Sequence, residues 1–375
     1  GSQIDLMMGP ESIGREYFEY CRLATKMPLI HAVFGNMAQA QAFPVAMGHG
    51  VVMLKETALS VARPDAVAAM LGEDVTYQEL GGTRIHSQIT GSCHHVAESE
   101  DELLDWVRRF SSYLPTHSGI LPPKSLPVEP DINARPIETI IPSRLKQAFD
   151  VHEVIDSLVD DRQFLELGKL HAGEVVTGLA RFEGLPAGVV ANNPIIRGGV
   201  LFPETCRKIM RFITLCDTFN LPILFLADAP GFMIGKAVEE AGIVQAGADL
   251  FSHIARCRTQ RLCLVLRRAY TAGLYAMSGS GFDPYAIYAL PDATISVYGS
   301  EATDRFLASL KITSEEKESI RTRMADESHV ETQVKQGFLT GILQPAEVRE
   351  AITKFINYAR TTSAELFAKE NRDEI

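Results

Sequence analysis

The same order of short elements occurs twice in the chain, in residues 28–61 and again in residues 261–297. In the second copy, the apolar residues 262–267 predict a buried strand, and the small residues 269–275 predict a turn that opens a helix. In the first copy, a strand over 28–35 precedes small residues at 36–43 and a helix to Met47. Two more strands follow in each copy. The repeat therefore predicts a layered α/β fold built from two related units.

The strand-to-helix turn of each copy suggests a chemical role. A helix that begins directly after a strand leaves its first N–H groups without intrahelical acceptors, and these donors can hold an oxyanion. In the second copy, Gly273 permits close backbone approach or a positive φ. An ordinary β–α turn that is packed closely for steric reasons has the same pattern, so both interpretations remain open at this point.

Composition and charge exclude several classes of protein. The 375 residues carry a net charge of −11, which argues against a general nucleic-acid binder but is compatible with one local basic pocket for a phosphorylated ligand. No apolar run approaches the roughly 18 residues of a membrane span. The six cysteines form no C-x-x-C pair, and Cys93-His94-His95 is too compressed for a zinc site, so we expect reduced thiols and no metal. We interpret His31 and His49 as core or surface residues.

Proline content and element order divide the chain into three parts. Residues 114–142 contain seven of the 19 prolines, which is typical of a linker. We therefore predict a first domain at 1–114, a Pro-rich linker at 115–148 and a second domain at 149–375. About 80 residues precede the second copy, between Phe149 and Gly231, and nothing comparable precedes the first, so we expect the first domain to lack its start.

Six stretches carry a family resemblance, at residues 72–86, 150–160, 228–235, 271–277, 291–297 and 337–345. With them the chain resembles the carboxyltransferase (β) subunit of biotin-dependent acyl-CoA carboxylases, of the propionyl- or methylcrotonyl-CoA carboxylase type. Asn192-Asn193 and residues 199–202 are most similar to the methylcrotonyl-CoA branch. The resemblance implies two crotonase-like (ββα spiral) domains, the first of them incomplete.

The resemblance also implies a reaction. Carboxybiotin on a separate carrier protein gives CO2, which is added to the α (or vinylogous γ) carbon of an acyl-CoA through an enolate. Two oxygens gain negative charge, and each needs an oxyanion hole. By resemblance, Ala272 and Gly273 face the biotin and Gln39 and Ala40 face the acyl-CoA. The substrate-contacting residues that it implies are Tyr275, Phe43, Gly35, Gly231 and Phe232. Biotin and coenzyme A are the implied cofactors, without a metal.

The implied partners are an acyl-CoA, a biotin carboxylase or biotin-carrier subunit, and further copies in a homohexamer or a hetero-oligomer with a paralogous β subunit. The implied compartment is the cytoplasm, or the mitochondrial matrix in a eukaryote.

Two departures from the family pattern leave alternatives open. Gln39-Ala40 stands where Gly-Gly is usual, and Thr271 stands where Gly is usual. A positive φ there costs about 1–2 kcal/mol per residue. A non-catalytic homologue that assembles with an active paralogue, and a biotin-dependent acyl-CoA decarboxylase subunit, are the alternatives.

Overall fold

The computed structural model describes residues 8–373, with side chains omitted at 300, 301 and 369–373. The strands are β1 Ile30–Val33, β2 Met37–Ala38, β3 Gly50–Leu54, β4 Leu59–Ser60, β5 His95–Ala97, β6 Phe164–Glu166, β7 Val175–Phe182, β8 Leu185–Asn192, β9 Ile223–Ala229, β10 Arg261–Tyr270, β11 Ala286–Ala289, β12 Thr294–Ser296 and β13 Gly341–Ile342. The helices are α1 Ile13–Ala24, α2 Ala42–Ala46, α3 Pro64–Leu71, α4 Tyr77–Gly81, α5 Glu100–Tyr113, α6 Ile137–Ile140, α7 Val151–Leu158, α8 Pro203–Thr218, α9 Lys236–Glu240, α10 Ile243–Arg256, α11 Ala272–Ala276, α12 Ser300–Ser309, α13 Ser314–Ser328, α14 Val330–Lys335 and α15 Val348–Asp373.

An eight-stranded sheet is the centre of the second half. Its order is β13-β11-β10-β9-β8-β7-β6, and β12 joins β10 from outside this path. The hairpin of β7 and β8 turns at Glu183-Gly184 and pairs antiparallel from Val175 to Asn192. From β8 onward the pairs are parallel. Helices lie on this sheet as the alternating pattern predicts, which confirms a mixed α/β architecture.

Strand β10 is longer than the sequence indicates. We expected a turn from Ala269, but Ala269 and Tyr270 continue the strand because they pair with Ile295 and Ser296 of β12. A register shift between Val265 and Ala269 allows the same strand to pair with two sets of neighbouring strands. Strand β9 likewise extends through Asp228 and Ala229, up to the loop at 230–235. The partner strands that hold these residues are distant in sequence, so local pattern could not place the ends.

The first half repeats the core of the second with its own small sheets, β1-β3-β5 and β2-β4. In each copy, two successive strand segments precede the turn, and two strand segments follow it. The first segment before the turn pairs in parallel with the first after it, and the second pairs in parallel with the second. In each copy, the separation in sequence between paired residues is two residues larger in the second pairing than in the first. The starting pairs are Ile30 with Gly50 and Met37 with Leu59, and Leu262 with Ala286 and Arg268 with Thr294. The predicted internal repeat is confirmed by this register.

The two copies differ in what covers them. Strand β10 has β9 on one side and β11 on the other, whereas β1 lies at the edge of its three-stranded sheet. Helix α10 buries five residues and packs against α8, whereas α1, at the corresponding place before its strand, buries none. Within the described residues, no strand pairs with β1 at the place where β9 pairs with β10.

One hydrophobic core nevertheless joins the two halves. Trp106 and Phe110 of α5 belong to the same buried cluster as Leu179 of β7 and Phe212 and Phe219 at and beyond α8. Trp106 is 4% exposed. The apolar face of α15 lies in a second cluster with α7 and β7, so it packs on its own chain. Its members are Val348, Ile352, Phe355, Ile356 and Ala359.

The proline-rich segment lies on the second half and is hydrogen-bonded to it. The Ser125 N–H donates to the Gly184 carbonyl (2.9 Å), and Arg181 and Arg360 donate to the carbonyls of Pro123 (3.3 Å) and Pro122 (2.9 Å). Helix α6 lies inside the range predicted as linker. The segment therefore has a fixed course over the surface, and the predicted domain boundaries stay a prediction.

Candidate active site

The turn after β10 places two backbone donors side by side. Thr271 has φ 39° and ψ −124°, and helix α11 begins at the next residue. The Thr271 N–H donates to the Ser296 carbonyl (3.2 Å), which ties the turn to β12. Ala272 and Gly273 are the first two residues of α11, so their N–H groups have no acceptor within the helix. Both donors are therefore available to a ligand.

The loop over 230–235 lies against this turn. A Cβ on Gly273 would come within 2.9 Å of the Gly231 nitrogen and Cα, so only glycine fits at position 273. The loop itself is held by Leu201, whose N–H donates to the Gly231 carbonyl (3.0 Å) and whose carbonyl accepts from the Met233 N–H (2.9 Å). Gly231 and Phe232, which the resemblance implies as substrate contacts, thus lie beside Gly273.

Four aromatic rings form a cluster next to the turn. Tyr275 lies 6.4 Å from Phe251 and 6.1 Å from Phe282, measured between ring centroids, and Phe232 lies 5.8 Å from Phe251. Tyr275 is 42% exposed, so the cluster presents an accessible apolar surface. Sequence reasoning identified Tyr275 and Phe232 but missed Phe251 and Phe282. Neither of these carries a local signal, because Phe251 lies in α10 and Phe282 in a loop after the turn.

A buried ion cluster lies under the turn. Asp228 is fully buried and accepts two hydrogen bonds from Arg267, from Nη2 (2.8 Å) and Nε (3.2 Å). Arg268 approaches the same carboxylate with Nε at 3.4 Å. Arg267 also donates to the carbonyls of Arg144 and Gln147. These contacts connect the ends of β9 and β10, from which the loop 230–235 and the turn 271–275 depart.

The first-half turn has the same construction. Strand β2 ends at Ala38, Gln39 has φ 64°, and a 3₁₀ turn over Gln39–Gln41 leads into α2. The Tyr17 hydroxyl donates to the Ala40 carbonyl, and the rings of Tyr17 and Phe43 meet edge to face at 6.2 Å. Phe43 and Gly35 are exposed. The side chain of Gln39 is exposed as well.

The repeat gives a residue-by-residue correspondence between the two turns. Ala38 and Tyr270 are the last paired residues of their strands, and Gln39 and Thr271 are the left-handed residues that follow. Ala40 and Gln41 then correspond to Ala272 and Gly273. Gln41 was not among the predicted site residues, and the sequence signal that would have found it is the same register.

The structure does not join the two turns within one chain. The described hydrogen bonds and ring contacts of residues 39–43 are made with first-half residues such as Tyr17, and those of residues 271–275 with second-half residues such as Ser296 and Phe251.

Across residues 8–373, no cluster of three His, Cys, Asp or Glu side chains is placed to bind a metal ion. Nor does this part of the chain contain a helix with the length and hydropathy of a membrane span.

Comparison with known proteins places this chain in a family. Residues 2–373 match the carboxyl transferase domain family. The chain belongs to this family. Its relatives include the uncharacterized carboxylase YngE of Bacillus subtilis (strain 168), 39% identical over 83% of this chain and 61% of the relative. Another is the mitochondrial methylcrotonoyl-CoA carboxylase beta chain of Dictyostelium discoideum, 33% identical over 82% of this chain and 52% of the relative.

The fold agrees with that of solved carboxyl transferases. Transcarboxylase 12S, a hexamer solved with hydrolyzed methylmalonyl-coenzyme A bound, matches with a TM-score of 0.84 and 28% identity over 96% of this chain and 69% of that chain. The resemblance drawn from the sequence motifs is therefore confirmed. The present chain spans only 61% and 52% of the two relatives named above.

Proposed function

We propose that this chain is the carboxyltransferase component of a biotin-dependent acyl-CoA carboxylase, an enzyme that carboxylates the α or vinylogous γ carbon of an acyl-CoA. The observation that carries the proposal is the pair of matching turns. Each has a left-handed residue at a strand end and presents free N–H groups at the start of a helical turn. A reaction that develops negative charge on two oxygens requires two such donor sets.

The second-half turn fits the ureido oxygen of a biotin. Its cradle admits no side chain at Gly273, so a ligand oxygen can approach the backbone donors closely. A carboxybiotin carried on a separate protein supplies the CO2 for the transfer. The N–H groups of Ala272 and Gly273 hold the ureido oxygen, and Gly231 and Phe232 limit the space above it. No proton needs to leave these donors, because backbone N–H groups act by dipole alone.

The first-half turn fits the thioester carbonyl of the acyl-CoA. We assign the stabilising donors to the start of the turn Gln39–Gln41. The family resemblance implies Gln39 and Ala40 as donors. The strand register favours Ala40 and Gln41 instead. Ala40 is the residue on which both agree. The ureido nitrogen that has released CO2 would take the proton from the α (or vinylogous γ) carbon. The oxygen of the resulting enolate gains charge, and donors that are already oriented stabilise that charge without reorganisation. Gly35 and Phe43 flank the place where the acyl-CoA approaches.

The aromatic cluster around Tyr275 suits an apolar acyl group. Tyr275 is accessible, while Phe251 and Phe282 support its ring from behind. Contact with such rings favours a hydrophobic acyl chain by burial of its surface. The substrate class that we propose is therefore an acyl-CoA with a branched or extended apolar acyl group.

The arrangement of the two turns supports an oligomer. They lie apart in one chain, so a complete site requires the first-half turn of one subunit and the second-half turn of another. We propose a hexamer of two crotonase-like domains per subunit, bounded as 1–114 and 149–375, with a biotin-carrier subunit as the partner and a cytoplasmic or mitochondrial-matrix location.

The decisive experiment is a carboxylation assay on the full chain with a carboxylated biotin carrier and acyl-CoAs of increasing chain length. We expect turnover that is greatest for an apolar acyl group. Gly273→Ala places a Cβ 2.9 Å from Gly231 and should reduce kcat by about 10²-fold or more, as for loss of an oxyanion donor.

Gly173→Ala is the matched control. A Cβ there meets only Ile196 at 3.6 Å, an ordinary contact, so its activity should equal that of the parent protein. Absence of turnover with every acyl-CoA would contradict the proposal, provided that circular dichroism shows a folded chain.

A non-catalytic subunit is the second candidate, and the conformation of Gln39 favours it. An exposed glutamine in a left-handed position adds a side chain where an acyl-CoA would approach the turn. In that case the chain alone would be inactive, and it would co-purify with an active carboxyl transferase. Gln39→Gly would then restore activity only if the side chain is the obstacle.

A further inference from the structure

A large cavity lies between the two halves, away from both turns. Its volume is about 640 Å³, within the range of sites for small molecules. The first half contributes the loop 89–94 and the end of α2, and the second half contributes α8 and residues 167–171. The proposed carboxyl transfer uses none of these residues.

The lining of the cavity is cationic without a compensating carboxylate. Its ionisable residues are Arg207, Lys208, Arg211, His49, His94, His171 and His253, and no Asp or Glu is among the lining residues. The positive charge comes from Arg207, Lys208 and Arg211, in a chain whose net charge is −11. It creates a local potential that attracts an anion.

Lys208 contributes a buried positive charge whose hydrogen-bond partners are backbone carbonyls. Its side chain is 8% exposed, and Nζ donates to the carbonyls of Gly168 (3.0 Å), His171 (2.9 Å) and Val175 (2.8 Å). Burial lowers the pKa of Lys208 to about 8, and the more distant Glu166 and Glu174 oppose this shift. Because its three hydrogens are committed to carbonyl oxygens, Nζ has no donor left for a ligand, and the group acts on an anion through its charge alone.

His94 supplies a hydrogen-bond donor of fixed orientation. The Val51 N–H donates to His94 Nδ1 (3.0 Å), so the proton of the neutral ring lies on Nε2. Burial, Arg211 and Lys208 all lower the pKa of His94, to about 4, and the ring is neutral at pH 7. The Nε2–H group is thus a donor over the whole neutral range.

Two arginines one helical turn apart complete the site. Arg207 and Arg211 lie at positions i and i+4 of α8, and both line the cavity. Arg211 donates one hydrogen bond, to the Gly91 carbonyl (2.9 Å), which leaves most of its donors unused within the described part of the chain. Paired guanidinium groups bind phosphate in a bidentate manner better than any other side chain. Apolar lining residues such as Met47, Ile89 and Met210 leave space for an organic group.

We propose that this cavity binds the phosphate group of a phosphorylated small molecule, held by Arg207, Arg211 and the Nε2–H of His94. Lys208 contributes long-range attraction. The cavity is distinct from both proposed oxyanion sites, because no residue of either turn lines it. The phosphate could belong to a free phosphate ester or to a coenzyme A, and the two sources are separable by experiment.

The test is calorimetric titration of the full chain with inorganic phosphate and with AMP near pH 7. We expect both to bind, AMP more tightly. Arg207→Gln and Arg211→Gln each remove charged hydrogen bonds and should weaken binding about tenfold or more. Arg211→Lys should restore part of the loss, because it keeps the charge but not the fork. Arg323→Gln on α13 is the matched control, since Arg323 is an exposed helical arginine outside the cavity, and it should leave binding unchanged.

Nitrogen NMR of the histidine rings gives an independent readout. Phosphate should shift the His94 Nε2 resonance of the parent protein and of Arg323→Gln. Competition by coenzyme A against AMP would assign the phosphate to a CoA, and absence of competition would assign it to a separate ester. The proposal is overturned if neither probe binds at millimolar concentration, or if binding is the same in the two α8 variants as in the parent.

Discussion

At the scale of single residues, the two left-handed positions Gln39 and Thr271 shape both proposed oxyanion sites. Neither is glycine, although each has a positive φ. Such conformations cost of order 1–3 kcal/mol and persist only where surrounding contacts hold them. At Thr271 the holding contacts are the pairing of Tyr270 with Ser296 and the Thr271 N–H bond to the same residue. The turn is therefore maintained by β12 and not by its own residue preferences.

Thr271→Gly should stabilise the chain. Glycine removes the strain at φ 39°, and this gain exceeds the entropic cost of glycine in the unfolded chain, for a net increase of about 1 kcal/mol in the free energy of unfolding. Urea denaturation at equilibrium measures the change. Thr303→Gly, inside α12, is the control and should lower the free energy of unfolding by about 0.5 kcal/mol. Equal destabilisation by both substitutions would show that Thr271 is not strained.

At the scale of elements, strand β10 connects the fold to the site. Its first part pairs with β9 and β11, and its end pairs with β12 after the register shift. The shift lies in the stretch that contains Arg267 and Arg268, whose guanidinium groups meet the buried carboxylate of Asp228. The ion cluster therefore fixes the direction in which the chain leaves β9 and β10.

Asp228→Asn should be strongly destabilising. It leaves Arg267, 3% exposed, without its counter-charge, and loss of one partner of a buried ion pair costs about 3–5 kcal/mol. Denaturation by guanidinium chloride measures the loss. Asp304→Asn is the matched control, because Asp304 also pairs with an arginine, Arg321 at 3.0 Å, but at the surface. Its effect should stay below about 1 kcal/mol. Similar effects at both sites would contradict the role assigned to the cluster.

The second residue of helix α7 is a histidine that bridges two carboxylates. His152 meets Glu166 with Nε2 (3.0 Å) and Asp150 with Nδ1 (2.6 Å). The hydrogen bond to Glu166 raises the pKa of His152 to about 9, against the opposing effect of burial and with further support from Asp150. Because the folded-state pKa lies above the unfolded value of about 6.5, the stabilisation is complete below pH 6.5 and is lost as the pH rises through 9.

We therefore expect His152→Gln to lower the thermal midpoint near pH 6 and to have little effect above pH 9. Calorimetric scans of both proteins across this range give the comparison. His117→Gln provides a control, because the described contact of His117 is a local one with the Gly119 N–H. A pH-independent difference between the parent protein and His152→Gln would rule out the charge as its cause.

At the scale of the whole molecule, the two halves share one core despite their separate sheets. Trp106 stacks on Phe110 at 5.1 Å in the first half, and both lie in a cluster with Leu179 and Phe219 of the second. The His94 carbonyl accepts from the Gly168 N–H (3.0 Å), which adds a backbone bond across the same junction. Such a shared core predicts cooperative unfolding.

The single tryptophan makes this testable. Fluorescence of Trp106 reports the first half, and far-ultraviolet circular dichroism reports mainly the helices of the second. The two transitions should coincide in denaturant. Phe110→Ala should shift both by the same amount, with a loss of about 3–5 kcal/mol. Phe338→Ala, at a 53% exposed position, should shift neither. A fluorescence transition that precedes the dichroism transition would show that the halves unfold separately.

The sequence by itself determined much of this architecture. The apolar run at 262–267 predicted the buried part of β10, because such a pattern extends over a few residues and depends on local burial. The repeated order of strand, turn, helix and two strands predicted the internal duplication, and the motifs identified the family. The turn at Ala272 and Gly273 was placed within the correct few residues for the same reason.

Only the tertiary structure decided how far the strands extend and which distant residues meet. Ala269 and Tyr270 belong to β10 because β12 pairs with them, and Gln41 corresponds to Gly273 because two strand registers agree. Phe251 and Phe282 join Tyr275 across separate elements. His49 and His94, unremarkable in sequence, line a cavity with Arg207 and Arg211. Contacts between residues far apart in the chain depend on the packing of whole elements, and no local pattern encodes that packing.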